Sequence, residues 1–333
     1  MNITNCFRSS LFRSIIESLD LQIMDVGSRG GIDEEFLPAA WATTALGFEP
    51  EPGECDKLNR GPSGPWRAAH YLPVALGPTN GDGVLHIPGN PAGASLLELN
   101  ASMLERFGYK ALHLSEKTLD VKVLTLDSLS DRFGIESIDY IKIDAEGAEL
   151  CILKSGTEIL QQCLALKIET SFLEQRNKQP LMHEVCAFMS GAGFHLVDIR
   201  DVHFWRRRPL PAHPYVANSI VPYSRGVAAQ CDLVFLRECS TVSNQERLIR
   251  LLMVSAIMGY FDYAVTIIRS RAGLETALSR TVGDCVAELG RVSKRIGRRI
   301  ALAEIVSRVR SILPLLRSTT FGISTDGALY TRY

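Results

Sequence analysis

Among its eight cysteines the 333-residue chain has no CxxC pair, and it has no long apolar run, no internal repeat and no low-complexity tract. Each absence closes off a class. Scattered thiols (Cys6, Cys55, Cys151, Cys163, Cys186, Cys231, Cys239, Cys285) argue against a disulfide framework and a zinc site, and suit a reducing compartment. The longest apolar stretch, around Leu251 to Met258, falls far short of the roughly 20 residues a membrane span needs. The run Leu11 to Leu21 carries Arg13, Glu17 and Asp20, so it is not expected to be a signal peptide. A soluble cytoplasmic protein without stable membrane insertion is the expectation. The dinucleotide fingerprint GxGxxG is missing as well, because Gly27, Gly30 and Gly31 have the wrong spacing. That absence disfavours a NAD-dependent oxidoreductase.

Net charge is near zero but unevenly placed. From Thr241 onward there are 14 Lys and Arg against 7 Asp and Glu, whereas 22 basic and 30 acidic residues precede it. The first 240 residues alternate strand-like and helix-like patterns, which implies βαβ units and a parallel sheet. Strands are expected over Leu21–Val26, Thr44–Glu49, Tyr71–Leu76, Tyr140–Asp144, Leu164–Glu169, Phe194–Ile199 and Asp232–Leu236. Short extra strands are expected at Gly83–Ile87 and Val121–Leu126. Helices are expected over Gly147–Leu160 and Leu181–Gly191. The segment Asp201 to Gly226 is long and rich in Pro, Arg and aromatics, as functional connections often are. Gln245 to Arg317 carries helical periodicity with few prolines.

The most informative stretch is Tyr140-Ile141-Lys142-Ile143-Asp144-Ala145-Glu146-Gly147-Ala148-Glu149. It sets three carboxylates behind a short apolar strand, at the strand end where open α/β sheets bind ligands. Crowded acids raise one another's pKa, so such a cluster is a candidate site. Asp25-Val26-Gly27-Ser28-Arg29-Gly30-Gly31 closes the first strand, and its glycines permit a tight turn and close approach of a ligand. Glu49 ends the next strand, about 20 positions on, where an acid can accept hydrogen bonds from ribose hydroxyls. With no pyrophosphate loop, a nucleoside such as S-adenosylmethionine suits the site better than NAD.

With these motifs the chain resembles the FkbM-type family of class I S-adenosylmethionine-dependent methyltransferases. The resemblance runs from about Leu21 to Leu236. It is carried by the glycine loop, by Phe48-Glu49-Pro50, by Leu124-Thr125-Leu126-Asp127-Ser128-Leu129, by Ile141 to Glu149 and by Leu153-Lys154-Ser155-Gly156. Ser28-Arg29 departs from the Ala-Asn more usual in the family. The resemblance implies a Rossmann-like α/β fold with a seven-stranded sheet, its last strand antiparallel, and methyl transfer to a hydroxyl. Acceptors in the family include sugars and polyketide-like metabolites. The cofactor residues it implies are Asp25, Gly27, Ser28, Gly30, Glu49, Pro50, Ala75 and Leu76. The domain plan is an N-terminal helix (1–20), a methyltransferase domain (21–240) and a C-terminal helical appendage (241–333).

Asp144 is the first candidate for orienting the acceptor or taking its proton, followed by Glu146 and Glu149, which at a spacing of three share a helix face. Lys142, inside a strand, needs a carboxylate partner. Asp127 or Ser128 is expected to cap the helix that follows. Asp144 and Glu169 offer oxygen ligands for a divalent cation, but two acids do not make a site, His183 is a poor third ligand, and a metal is not favoured. His203-Phe204-Trp205-Arg206-Arg207-Arg208 suits an anionic sugar, and Asn90 to Ser95 forms a loop placed to touch a ligand. A small-molecule or glycan acceptor is expected, with no nucleic acid. The basic run Arg291–Arg299 is expected to serve homo-oligomerisation or substrate capping in preference to a membrane-surface or nucleic-acid role. The competing reading is a catalytically degenerate methyltransferase fold acting as a binding or assembly module.

Overall fold

The computed structural model describes residues 3–108, 117–135, 137–205, 207, 225–270 and 273–321. The strands are β1 (Leu21–Val26), β2 (Thr43–Phe48), β3 (Ala68–Leu72), β4 (Ala75–Leu76), β5 (Gly81–Ile87), β6 (Lys117–Leu124), β7 (Tyr140–Ile143), β8 (Ala165–Ser171), β9 (Phe194–Trp205) and β10 (Val227–Arg237). The helices are α1 (Arg13–Leu19), α2 (Pro52–Arg60), α3 (Ala101–Phe107), α4 (Ser128–Phe133), α5 (Glu149–Lys154), α6 (Thr157–Gln162), α7 (Met182–Gly191), α8 (Gln245–Ile257), α9 (Phe261–Ser270), α10 (Leu274–Leu278) and α11 (Val282–Phe321).

Seven strands form one sheet in the order β3-β2-β1-β7-β8-β10-β9. β1 runs parallel to both β2 and β7, and β7 parallel to β8. β10 is antiparallel to β8 and β9, which meets the expectation of an antiparallel last strand. The order reverses between β1 and β7, so their carboxyl ends flank the crevice where doubly wound sheets bind ligands. A smaller sheet, β4-β6-β5, stands beside it.

Period-two alternation sorts side chains between the two faces of the large sheet. Leu21, Ile23, Tyr140, Ala165 and Val234 enter one apolar cluster. Met24, Val26, Ile141, Ile143 and Ile168 enter the other, with Leu150, Leu153, Val185 and Met189 from α5 and α7. The first cluster also holds the C-terminal helices. Leu251 to Ile257 of α8 are buried all round, as a helix apolar on every side must be. This accounts for the longest apolar stretch in the sequence. Asn244 caps α8 by accepting from the Arg247 amide, and Arg250 ties the helix to buried Asp139 at 3.1 Å. The C-terminal helical region is therefore present, and its helices complete one face of the sheet's core.

Three sequence expectations differ in detail. The third strand, expected as Tyr71–Leu76, is two strands in different sheets, because Pro73 lacks the amide that a ladder needs. The helix expected over Gly147–Leu160 breaks into α5 and α6 at Gly156, where a Cβ would lie 2.2 Å from Leu126. Asp127 makes no side-chain cap on α4; its carboxylate instead accepts from the Glu158 and Ile159 amides at 3.0 Å, at the start of α6. In the connection Asp201 to Gly226, residues 201–205 extend β9; residues 206 and 208–224 lie outside the described residues, and with them Arg206 and Arg208 of the basic aromatic run.

Leu252 of α8, fully buried in the apolar cluster that sheet residues share with the C-terminal helices, tests the shared core. Leu252→Ala should lower unfolding free energy by about 2–5 kcal/mol, read by urea titration, with the chain still unfolding in one transition. A separate, earlier transition confined to the C-terminal helices would contradict a common core.

Candidate active site

The glycine loop after β1 is drawn against its neighbours by backbone contacts. Gly27 and Ser28 donate to the Phe48 carbonyl, Asp144 donates to that of Val26, and Glu49 to that of Leu72. At Gly27 the chain turns with φ +83°, and a Cβ there would sit 1.9 Å from the Asp144 carbonyl oxygen. Only glycine lets the ends of β1 and β7 meet so closely. The result is a cavity of about 170 Å³. Gly27, Arg29, Glu49, Pro50, Ala75, Leu76, Lys142 and Asp144 line it, with Pro91, Ala92 and Ala94–Leu96 from the loop after β5.

The expected cofactor residues divide into two groups. Gly27, Glu49, Pro50, Ala75 and Leu76 line the cavity, the last two from β4 in the small sheet. Asp25 and Ser28 are buried behind it, and Gly30 supplies a turn with φ +88°. Asp25 accepts the Asp33 amide at 2.7 Å, while its second oxygen has no hydrogen-bond partner and lies 3.4 Å from Lys142. Burial pushes its carboxyl up to about 6, against the attraction of Lys142. Glu49 accepts the Glu51 amide at 2.9 Å and lies 3.7 Å from Arg29; burial raises its pKa. Arg29, which fills the family's more usual Asn position, pairs mainly with Glu51 at 2.8 Å.

The three acids after β7 meet different surroundings. Asp144 lines the cavity with its side chain 36% exposed, and pairs with Lys142 at 3.2 Å. Lys142 thus has the carboxylate partner its strand position demanded, and a second in Asp25. Glu146 adopts the left-handed region at φ +53° and pairs with buried Arg176 at 3.1 Å. Glu149 is buried and accepts the Ala145 and Gly147 amides at 3.0 and 2.8 Å. These bonds hold the turn between β7 and α5. Burial still raises the Glu149 carboxyl to about 7.

Glu169 of β8 completes the cluster. Asp144, Glu146 and Glu169 each bring an oxygen within 4.8 Å of the others. Burial, then Asp144, Glu146 and Glu149, raise Glu169 well above the usual carboxylate range. A carboxyl raised so far keeps its proton, and Glu169 holds it toward Asp144. The same oxygens are hard donors of the kind a divalent cation takes. Sequence reasoning passed over Asp33, Lys167 and Arg176. Asp33 pairs with Lys167, and Arg176 donates to the Gly93 and Leu97 carbonyls as well as to Glu146, tying the 90–95 loop to the turn after β7. Nothing local marks these ion pairs, because their partners lie 30 to 134 positions apart.

A model of the Methyltransferase FkbM domain matches residues 25–196, just over half of the chain and all of this site. The chain belongs to the FkbM methyltransferase family. Among curated proteins, the 2-O-methyltransferase NoeI of Sinorhizobium fredii is 28% identical over 166 residues, 47% of this chain and 66% of that protein. The match thus spans slightly less than two thirds of that relative's length. Among solved structures, a TehB-like SAM-dependent methyltransferase from Corynebacterium glutamicum aligns over 67% of this chain and 87% of its own, at 10% identity and a TM-score of 0.30. An uncharacterised protein from Listeria monocytogenes aligns over 84% and 94%, at 12% identity and a TM-score of 0.27. Both superpose loosely, and the fold assignment stands on the family and on strand order.

The raised carboxyls give the site a pH signature. Glu149 holds its proton up to about pH 7 when folded but only to about 4.5 when unfolded. Between those values the folded chain binds more protons, so this group's contribution to stability is lost as pH rises. Glu149→Gln keeps an acceptor for both amides and removes the titration. Its unfolding free energy relative to the parent should therefore rise between about pH 4.5 and pH 7. A difference that stays flat across that range would show that burial does not perturb Glu149.

Proposed function

We propose that this protein is an S-adenosylmethionine-dependent O-methyltransferase acting on a hydroxyl of a sugar, glycan or glycosylated metabolite. The observation that carries the reading is the cavity at the β1/β7 switch point. It joins a buried acid, Glu49, to a partly exposed one, Asp144. The cofactor's donor set fits. Glu49 ends β2 with one oxygen on the Glu51 amide and its other free to accept from ribose hydroxyls. Phe48, Leu76 and Leu85 give apolar wall for a base, and the bare Gly27 backbone allows close approach. The sulfonium, when bound, supplies an activated methyl group, so the hard chemistry is the cofactor's.

The chain's own residues orient the acceptor and handle its proton. Asp144 accepts the hydroxyl hydrogen, and the Lys142 ammonium 3.2 Å away fixes its carboxylate at the cavity wall. Glu169, which burial keeps protonated, holds its own proton toward Asp144, so the proton released by the acceptor goes to the Asp144 carboxylate. Glu149 and Arg176 act at one remove, by fixing the turn that carries Asp144 and the loop that faces it. Support for an oxygen acceptor comes from the relative NoeI, named as a 2-O-methyltransferase. A cytoplasmic setting is consistent with eight free cysteines.

Calorimetric titration with S-adenosylhomocysteine, with NAD as control, tests the reading. Binding of the former alone is expected. Glu49→Ala should weaken it, while Asp144→Asn should retain most binding and lower kcat by about 10²–10⁴. Equal loss of binding in both variants would overturn this division of roles, and tight binding without methylation of any acceptor would favour a binding module. A metal-assisted form of the reaction rests on the Asp144, Glu146 and Glu169 cluster. Loss of turnover with EDTA, restored by Mg²⁺, selects it, and insensitivity selects the hydrogen-bonded carboxyl pair.

A further inference from the structure

Among its described side chains, α11 packs on the body through its first half. Cys285, Leu289, Val292 and Ile296 are buried at intervals of three and four residues. Arg295 donates to the Cys6 carbonyl and the Ser9 hydroxyl, and Arg299 to the Cys6 sulfur. From Ile300 to Val306 every described side chain is exposed. Ile300, Leu302, Ile305 and Val306 keep 55, 54, 57 and 49% of their surface in water. One exposed apolar residue needs no explanation, but four within two turns do.

The outward face of the first half is basic. Arg291, Lys294 and Arg298 are exposed, Arg291 remaining so while paired with Glu288 at 2.9 Å. Their spacing of three and four continues at Leu302 and Ile305. These five residues therefore share one helix face, cationic along its first half and apolar along its second. It lies opposite the stripe that packs on the body.

That charge pattern selects the occupant. A second copy in parallel register would set Arg291, Lys294 and Arg298 against their own counterparts. In antiparallel register they would meet Leu302 and Ile305. The anion on this face, Asp284, lies two turns ahead of Arg291, so in neither register that also engages Leu302 and Ile305 does it meet the cations. Nucleic acid answers the cations but not the aliphatic half. An anionic lipid surface answers both, with phosphate headgroups for the cations and the acyl boundary for the apolar side chains. We propose that α11 docks this protein on an anionic lipid surface through Arg291, Lys294 and Arg298 together with Leu302 and Ile305. No described helix is long and apolar enough to cross a membrane, so the helix lies on the surface.

The test is flotation of the full chain with phosphatidylcholine vesicles, with and without phosphatidylglycerol. Flotation with the anionic vesicles only, reversed by added salt, is expected. Arg291→Gln, Lys294→Gln and Arg298→Gln combined should lower partition by on the order of a hundredfold, about fivefold for each charge. Leu302→Asp with Ile305→Asp should abolish it. Leu302 and Ile305 are exposed, so Leu302→Asp with Ile305→Asp should keep the parent melting temperature; Arg291→Gln also removes the partner of buried Glu288, and the triple variant is floated below its own melting temperature. The proposal is overturned if the native chain does not float with anionic vesicles, or if Leu302→Asp with Ile305→Asp floats equally well. It is overturned as well if α11 instead drives self-association that Ile305→Asp dissolves without lipid.

Discussion

Lys142 lies between two carboxylates, 3.4 Å from Asp25 and 3.2 Å from Asp144, and the site depends on that placement. Asp25 ends β1 fully enclosed, and Asp144 begins the turn after β7. Lys142 opposes the burial that raises the Asp25 carboxyl, a rise to which the nearby Asp33 and Asp144 charges add. On the neighbouring strand β8, Lys167 has the same role and pairs with Asp33. Asp33 in turn donates its amide to Asp25. Two lysines inside strands thus let the carboxyl edge of the sheet hold several acids at once.

Burial then separates those acids by what each can reach. Glu149 is occupied with two backbone amides, and Glu146 with Arg176. Asp144 is left partly exposed to the cavity. The pair Glu146 and Gly147, both at positive φ, forms the tight turn that makes this sorting possible. Strain of that kind persists where the surroundings enforce it, and here Arg176, Glu149 and Ser95 bond the turn from three sides. The C-terminal helices support the same edge from behind. Tyr260 accepts from Arg200, which also holds Glu35 in the segment that follows the glycine loop.

Much of this was legible in the chain because it is local. An apolar run followed by Gly or Asp marks a strand end, and period-two alternation marks a buried strand. The glycine loop, Glu49 and the acids after β7 were found this way. The boundaries that slipped did so for equally local but subtler reasons, such as the missing amide of Pro73 and the close approach at Gly156. The C-terminal region read as helical, but its apolar stretch did not disclose its destination. A helix apolar on all sides says that it is covered, not by what.

The sequence by itself determined the strand and helix types, the family, and the residue types at the carboxyl edge of the sheet, since each depends on neighbours a few positions apart. Only the tertiary structure decided which acid faces the cavity, that Asp25 and Glu149 are enclosed, and that Arg176 and Lys167 complete the site. It also decided where α11 leaves the body and bares its apolar side chains. Those outcomes rest on desolvation and on ion pairs between residues far apart in the chain, and no spacing along the chain encodes which distant groups will share a strand end.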